Sequence, residues 1–167
     1  MIVVSDTSPL NYLVLIGQDR ILPTLFGRVI APPAVIGELL HPGAPALIRS
    51  WAASPPEWLE VLAPSVVDQS LPLGLGETEA ISLAREIHAD TLLLDERRAV
   101  LVARGLGLAV TGTLGVLELA AERQLIDLAD VVVALRKTTF RCSDNVFEEL
   151  LRRDKQRQSK STGRQDD

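Results

Sequence analysis

Four carboxylates stand within or at the ends of apolar runs. Asp6 follows Met1-Ile2-Val3-Val4 and one serine, Glu38 sits in Val35-Ile36-Gly37-Glu38-Leu39-Leu40, Glu77 closes Leu73-Gly74-Leu75-Gly76-Glu77, and Asp95 follows Thr91-Leu92-Leu93-Leu94. An ionised carboxylate among buried neighbours must be paired, hydrogen-bonded or bound to a cation. No lysine lies near any of the four. Acids of this kind, if they converge, make a site for a hard divalent ion, Mg²⁺ or Mn²⁺, which takes carboxylate oxygens and keeps some waters. Such an ion can polarise a phosphodiester and orient a water, which is hydrolysis chemistry. Taken singly, each acid has an ordinary reading: Asp6 and Asp95 as helix caps, Glu77 as a first-turn acid, Glu38 as the partner of an arginine.

Other chemistry is poorly served. His41 and His88 are too few for a histidine zinc site, which needs three or four ligands, and helix ends account for both. Gly74-Leu75-Gly76 and Gly105-Leu106-Gly107 lack the pattern of a dinucleotide fingerprint or a phosphate-loop lysine. Phosphoryl transfer through an aspartyl-phosphate wants a second acid two residues beyond Asp6, where Ser8 stands. Glu79, Glu96 and Glu118 are weaker candidates for the site; Glu79 is two residues from Glu77 and so on a different helix face. Asp90 reads as an exposed turn residue. Arg97 and Arg98, directly after Asp95, suit either substrate phosphates or a solvated helix start.

The elements that must position these acids are legible as an alternation. Strands are expected at 2–5, 28–31, 59–62, 91–94 and 108–111. Helices are expected at 8–17, from Pro33 to about His41, at 44–53, from Gly76 to about His88, and at 99–104, 113–123, 127–136 and 143–153. Residues 64–72 read as loop. Alternating strands and helices argue for α/β architecture, a buried and mainly parallel sheet wrapped by helices on both faces. In such a sheet ligands bind at the carboxyl ends of the strands. Asp6 and Asp95 each follow a strand, so they meet if those strands are neighbours.

Composition agrees. The chain has 167 residues, 47% of them apolar but only 4% aromatic, which calls for a core of aliphatic side chains. At this length a folded chain buries roughly 70% of its extended surface, and one domain to residue 153 is expected. The single cysteine, Cys142, allows no internal disulfide and points to a reducing, cytoplasmic setting. The sequence opens on a strand-like run rather than a secretory signal, and no apolar stretch approaches a membrane span, so a soluble protein is expected. Net charge is −5, but six of the 17 basic and three of the 22 acidic residues fall in 152–167, leaving about −8 on the rest. Residues 154–167 read as a basic polar tail without stable structure, suited as an alternative to contact with nucleic acid.

In order and spacing, Val3-Val4-Ser5-Asp6-Thr7-Ser8-Pro9-Leu10, Pro33-Ala34-Val35-Ile36-Gly37-Glu38-Leu39, Gly74-Leu75-Gly76-Glu77-Thr78-Glu79-Ala80-Ile81 and Leu92-Leu93-Leu94-Asp95-Glu96-Arg97-Arg98-Ala99 resemble the PIN-domain family, and more closely its VapC-like toxins and a related group of small prokaryotic members. The resemblance covers the chain to about residue 150. It implies a three-layer α/β/α sandwich whose acids bind Mg²⁺ or Mn²⁺ and hydrolyse single-stranded RNA. Asp6, Glu38, Glu77 and Asp95 match the family's acidic quartet; in many relatives the third is Asp, one methylene shorter than Glu77. The family also uses a Ser or Thr near the site, matched best by Thr111, with Thr113 and Ser8 behind it. VapC-like proteins typically pair with a small antitoxin protein that covers the site, and often form homodimers; the apolar helices around Ile16, Leu47 and Trp51 offer surfaces for this. The resemblance therefore implies a metal-dependent endoribonuclease, the toxin of a toxin-antitoxin pair. The alternatives are a PIN-like module that binds RNA or protein without cutting, with Trp51 and Trp58 available to stack on bases, and a nuclease directed at DNA.

Overall fold

The computed structural model of the chain describes residues 1–163. The chain runs β1 (Ile2–Ser5), α1 (Thr7–Leu15), α2 (Ile21–Phe26), β2 (Arg28–Ala31), α3 (Pro33–Leu39), α4 (Ala46–Ala53), β3 (Leu59–Val61), α5 (Leu75–Glu86), β4 (Thr91–Leu93), α6 (Arg97–Gly105), β5 (Val110–Thr111), α7 (Thr113–Glu122), α8 (Leu128–Arg136) and α9 (Asp144–Thr162). The five strands form one sheet in the order β3-β2-β1-β4-β5, and every neighbouring pair is parallel. The architecture is the expected α/β/α sandwich around a parallel sheet.

Continuous apolar runs make these strands because both faces of the sheet are covered. Val3, Val29 and Leu93 are as fully buried as Val4, Ile30 and Leu92, although successive residues point to opposite faces. On one face Val4, Ile30, Leu92 and Leu94 pack in a single cluster with Ala80, Ile81, Leu83 and Ala84 of α5 and Ala99 and Ala103 of α6. Small alanines let these two helices approach the sheet closely.

The chain leaves β1 towards β2 and β3 on one side and returns to place β4 and β5 on the other. The strand order therefore reverses between β1 and β4, and a crevice opens beyond their carboxyl ends. Asp6 N–H donates to the Leu93 carbonyl at 2.9 Å, which carries the ladder one step past β1. The two strands that precede Asp6 and Asp95 are thus direct neighbours.

The chain divides into two compact units, Met1–Thr113 and the residues from Leu114 onward. The sheet, α1 to α6 and all four acids lie in the first. Within the second, α8 and α9 pack together, with the Arg136 guanidinium 4.3 Å from the centre of the Phe147 ring. The expected tail is helical through Thr162. Arg153 grips Glu118 with two hydrogen bonds of 2.8 and 3.1 Å, Arg157 reaches Glu118 and Asp154, and Gln158 donates to Asp154 at 2.9 Å. Polar residues three and four apart, with partners on α7, hold a helix that carries almost no apolar side chain beyond Leu151. Residues 164–167 of the expected tail lie outside the described residues. The short α2 is also unforeseen. Among the described residues no helix is long and apolar enough to cross a membrane.

Candidate active site

Asp6 is the centre of the acidic group. The residue is only 4% exposed, and among the described residues its buried Oδ1 has no hydrogen-bond partner. Burial pushes its carboxyl up to about 7, with smaller upward pushes from the charges of Glu77, Glu38 and Asp95, against the opposing hydrogen bond of the Thr7 amide. Buried polar atoms are rarely left unpaired. An orphaned carboxylate oxygen that feels three other acids is a place where a cation would be welcome.

Glu38 reaches this group from α3. Its Oε2 accepts a hydrogen bond from the Thr7 hydroxyl, and its Oε1 accepts from the Gly76 N–H at 3.2 Å. Among the described residues no arginine takes it, contrary to the ordinary reading of its sequence setting. Gly76 is essential to the arrangement because a Cβ there would fall 2.5–2.7 Å from the carboxyl atoms of Glu38. The exchange runs both ways: Glu79, on α5, accepts from the Ala34 N–H in the first turn of α3 at 2.9 Å. Each helix so supplies a carboxylate to free amides of the other's first turn.

Glu77 occupies the first turn of α5 and accepts from its own Gly74 N–H at 3.2 Å. It is half-buried. Burial raises its pKa, the Gly74 amide opposes the rise, the charges of Glu96 and Glu38 add to it, and that of Arg98 subtracts. Its ordinary role as a first-turn acid and its place near the other acids coexist.

Asp95 is held by one residue. Thr113 donates its N–H to Oδ1 at 2.7 Å and its hydroxyl to Oδ2 at 2.6 Å. Burial raises the Asp95 pKa and the two Thr113 bonds restrain it. Gly112 leaves room for this, since a Cβ there would lie 2.9 Å from Asp95 Oδ1. Asp95 does not cap α6; Glu96 does, accepting from the Arg98 and Ala99 amides at 3.0 and 2.7 Å.

The hydroxyl expected first, Thr111, instead stands 3.3 Å from the Thr91 hydroxyl, between β4 and β5. The chain turns at Gly112 after the strand ends, and this turn brings Thr113, not Thr111, onto Asp95. Ser8 lies half-buried in the first turn of α1. Glu79 and Glu96 are accounted for as caps, and Glu118 by its arginines. His41 accepts from the Gly43 N–H at 2.9 Å, and His88 lies in the turn after α5 with a left-handed backbone, φ 51°. Asp90 is exposed but ties down the first strand, accepting from the Ile2 N–H at 2.6 Å. Trp51 is half-buried and donates its indole N–H to Asp19 at 3.2 Å, with its ring 6.1 Å from that of Trp58. Sequence reasoning overlooked Thr7 and Gly76; the signal for Thr7 is a hydroxyl directly after the first acid.

The donor chemistry fits Mg²⁺ or Mn²⁺: all-oxygen, acidic, and with a buried oxygen left unpartnered on Asp6. Among the described residues no three His, Cys, Asp or Glu side chains are drawn together into a ready-made cage. Mg²⁺ does not require one, because it commonly keeps several waters and takes one or two carboxylates directly. Asp6 Oδ1 is the oxygen free to meet an ion, with Glu38, Glu77 and Asp95 as the surrounding charge.

The chain matches the family model DUF3368, described as a PIN domain, over residues 2–156. None of the curated proteins matches it. Among solved structures it is similar to a PilT N-terminus domain protein from the hyperthermophilic archaeon Sulfolobus solfataricus P2, with 14% identity over 86% of this chain and 100% of that one and a TM-score of 0.49.

Proposed function

This chain belongs to the PIN-domain family, whose members generally carry nuclease activity and use divalent metals, and on that premise we propose that it is a Mg²⁺- or Mn²⁺-dependent endoribonuclease acting on single-stranded RNA. The observation that carries the metal requirement is the buried, unpartnered Oδ1 of Asp6 in the company of three other acids. When bound, the ion supplies positive charge at the scissile phosphate and a water of lowered pKa. The residues of the chain prepare its seat. Asp6 offers a desolvated oxygen, where electrostatic attraction is stronger than in water. Thr7 and the Gly76 amide fix the direction of Glu38, Gly74 restrains Glu77, and Thr113 holds both oxygens of Asp95. Each bond turns a flexible acid into an oriented one, so little reorganisation is left for the reaction itself. Hydrolysis adds water across the phosphodiester, forming a new P–O bond and releasing an alcohol.

We place this activity in the cytoplasm as the toxin of a toxin-antitoxin pair, acting as a homodimer. Leu40 and Leu75, 42% and 63% exposed, stand two residues from Glu38 and Glu77. An apolar rim beside a charged site suits a small antitoxin that covers the acids.

One observation favours a second reading, a PIN-like module that binds without cutting: both oxygens of Asp95 are already engaged by Thr113. Incubating single-stranded RNA with Mn²⁺ and either the wild-type chain or Asp6→Asn decides between them. The nuclease reading expects cleavage by the wild type, abolished by chelation, restored by metal, and lowered about 100-fold or more by the substitution. Equal cleavage by both chains removes Asp6 from the mechanism, and no cleavage with no metal binding favours the module.

A further inference from the structure

The chain carries a net negative charge, and among the described residues six of its arginines are taken up by acids. Arg28, Arg85, Arg136, Arg152, Arg153 and Arg157 each form an ion pair with an acid. Arg97, Arg98 and Arg104 are exposed and make no ion pair among the described residues, as is also true of the scattered Arg20, Arg49 and Arg141, but these three are gathered on one element, the nine-residue α6. At 100° per residue, Arg97, Arg98, Leu101 and Arg104 fall on one side of the helix and the buried Ala99 and Ala103 on the other. The middle of the arginine side is Leu101, 63% exposed.

We propose, on the nuclease reading above, that this face of α6 is the track on which the phosphates of a single RNA strand lie as it enters or leaves the acids. The helix begins two residues after Asp95, and Arg98 is near enough to Glu77 for its charge to be felt there. Arg97 and Arg104 are about 10 Å apart along the axis, room for more than one phosphate. A guanidinium grips a phosphate with two parallel hydrogen bonds, and Leu101 offers an apolar surface against which a base can rest. A substrate rich in negative charge is otherwise repelled by the four acids and the acidic body. Three cations on one face, running away from the site, supply the attraction that the site lacks.

The test uses the full chain carrying Asp6→Asn, in Mg²⁺, so that RNA is bound but not cut. Binding of a labelled single-stranded RNA of mixed sequence is followed by fluorescence anisotropy over a range of salt, with and without Arg97→Ala/Arg104→Ala. The double variant is expected to bind at least about tenfold more weakly, with the slope of log Kd against log salt reduced by about 1.4, at ~0.7 for each phosphate left without its guanidinium. Arg97→Lys/Arg104→Lys is expected to keep most of the slope, and Arg152→Ala to change neither quantity. Unchanged affinity and slope in the double alanine variant, with normal melting, overturn the track. So does failure of the Asp6→Asn chain to bind an RNA that the wild type cuts, and in both cases the nuclease reading survives. A wild type that neither binds nor cuts RNA overturns both together.

Discussion

Gly76 leaves empty the space that the Glu38 carboxylate fills, while its N–H donates to Glu38 Oε1 at 3.2 Å. The close approach therefore depends on the absence of a side chain rather than on a backbone twist. Gly76→Ala should leave the fold intact at a modest cost, because Gly76 stands in the first turn of α5 and the bond at risk, to a carboxylate, contributes about 1.5–3 kcal/mol. What moves is the far end of Glu38. Mn²⁺ affinity, measured by titration calorimetry, should fall about 10–100-fold. Glu38→Asp in the same chain, one methylene shorter, should recover part of that loss. Unaltered affinity in Gly76→Ala would show that the position of Glu38 is irrelevant to the ion.

Thr113 and Thr111 can be told apart by removing each hydroxyl at constant shape. Thr113→Val deletes the bond to Asp95 Oδ2, and hydrogen bonds to charged groups contribute about 1.5–3 kcal/mol; melting temperature and metal-dependent cleavage should both drop. Thr111→Val gives up only the 3.3 Å approach to the Thr91 hydroxyl, and cleavage should persist. The reverse order of effects would return the assisting role to Thr111.

The Asp6 carboxyl ionises near 3.8 in an unfolded chain and near 7 in the folded one. Between those values the folded state binds the proton more tightly, so the metal-free protein loses stability as pH rises from about 4 to 7 and levels off above. The raised pKa values of Glu77 and Asp95 act in the same direction. Asp6→Asn should flatten this slope and stabilise the metal-free chain at pH 8 by a few kcal/mol at most, at about 1.4 kcal/mol per pKa unit. Metal reverses the picture. Mn²⁺ competes with protons for these oxygens, so adding it should raise the melting temperature at pH 8 and hardly at pH 5, and chelation should undo the gain. A melting temperature indifferent to pH and to Mn²⁺ would contradict the assignment of Asp6.

The strands and the acids are legible because one pattern marks both: an unbroken apolar run is a strand buried on two faces, and an acid at its end falls at the carboxyl edge. Helix α2 is not, since Ile21-Leu22-Pro23-Thr24-Leu25-Phe26 is too short for a period and contains a proline. Composition misleads at the end of α9. Arg153, Asp154, Arg157 and Gln158 look like a solvated tail until their spacing is set against partners such as Glu118, 35 residues from Arg153. Thr7, Gly76 and Thr113 depend on which helix ends meet. Gly76 and Glu38 are 38 residues apart, and nothing local in either segment announces the other.

Because Glu38 reaches the start of α5 while Glu79 reaches the start of α3, the two helices are fastened at two points rather than one. A single fastening permits pivoting; two suppress it and forbid either helix to slide by a turn without releasing both. The placement of Glu38 and Glu77 beside Asp6 is thereby independent of the path the backbone takes between α3 and α5. Residues 63–72 of that path contain no helix or strand. Homologues and engineered variants can lengthen, shorten or rebuild that stretch while the acids stay in register.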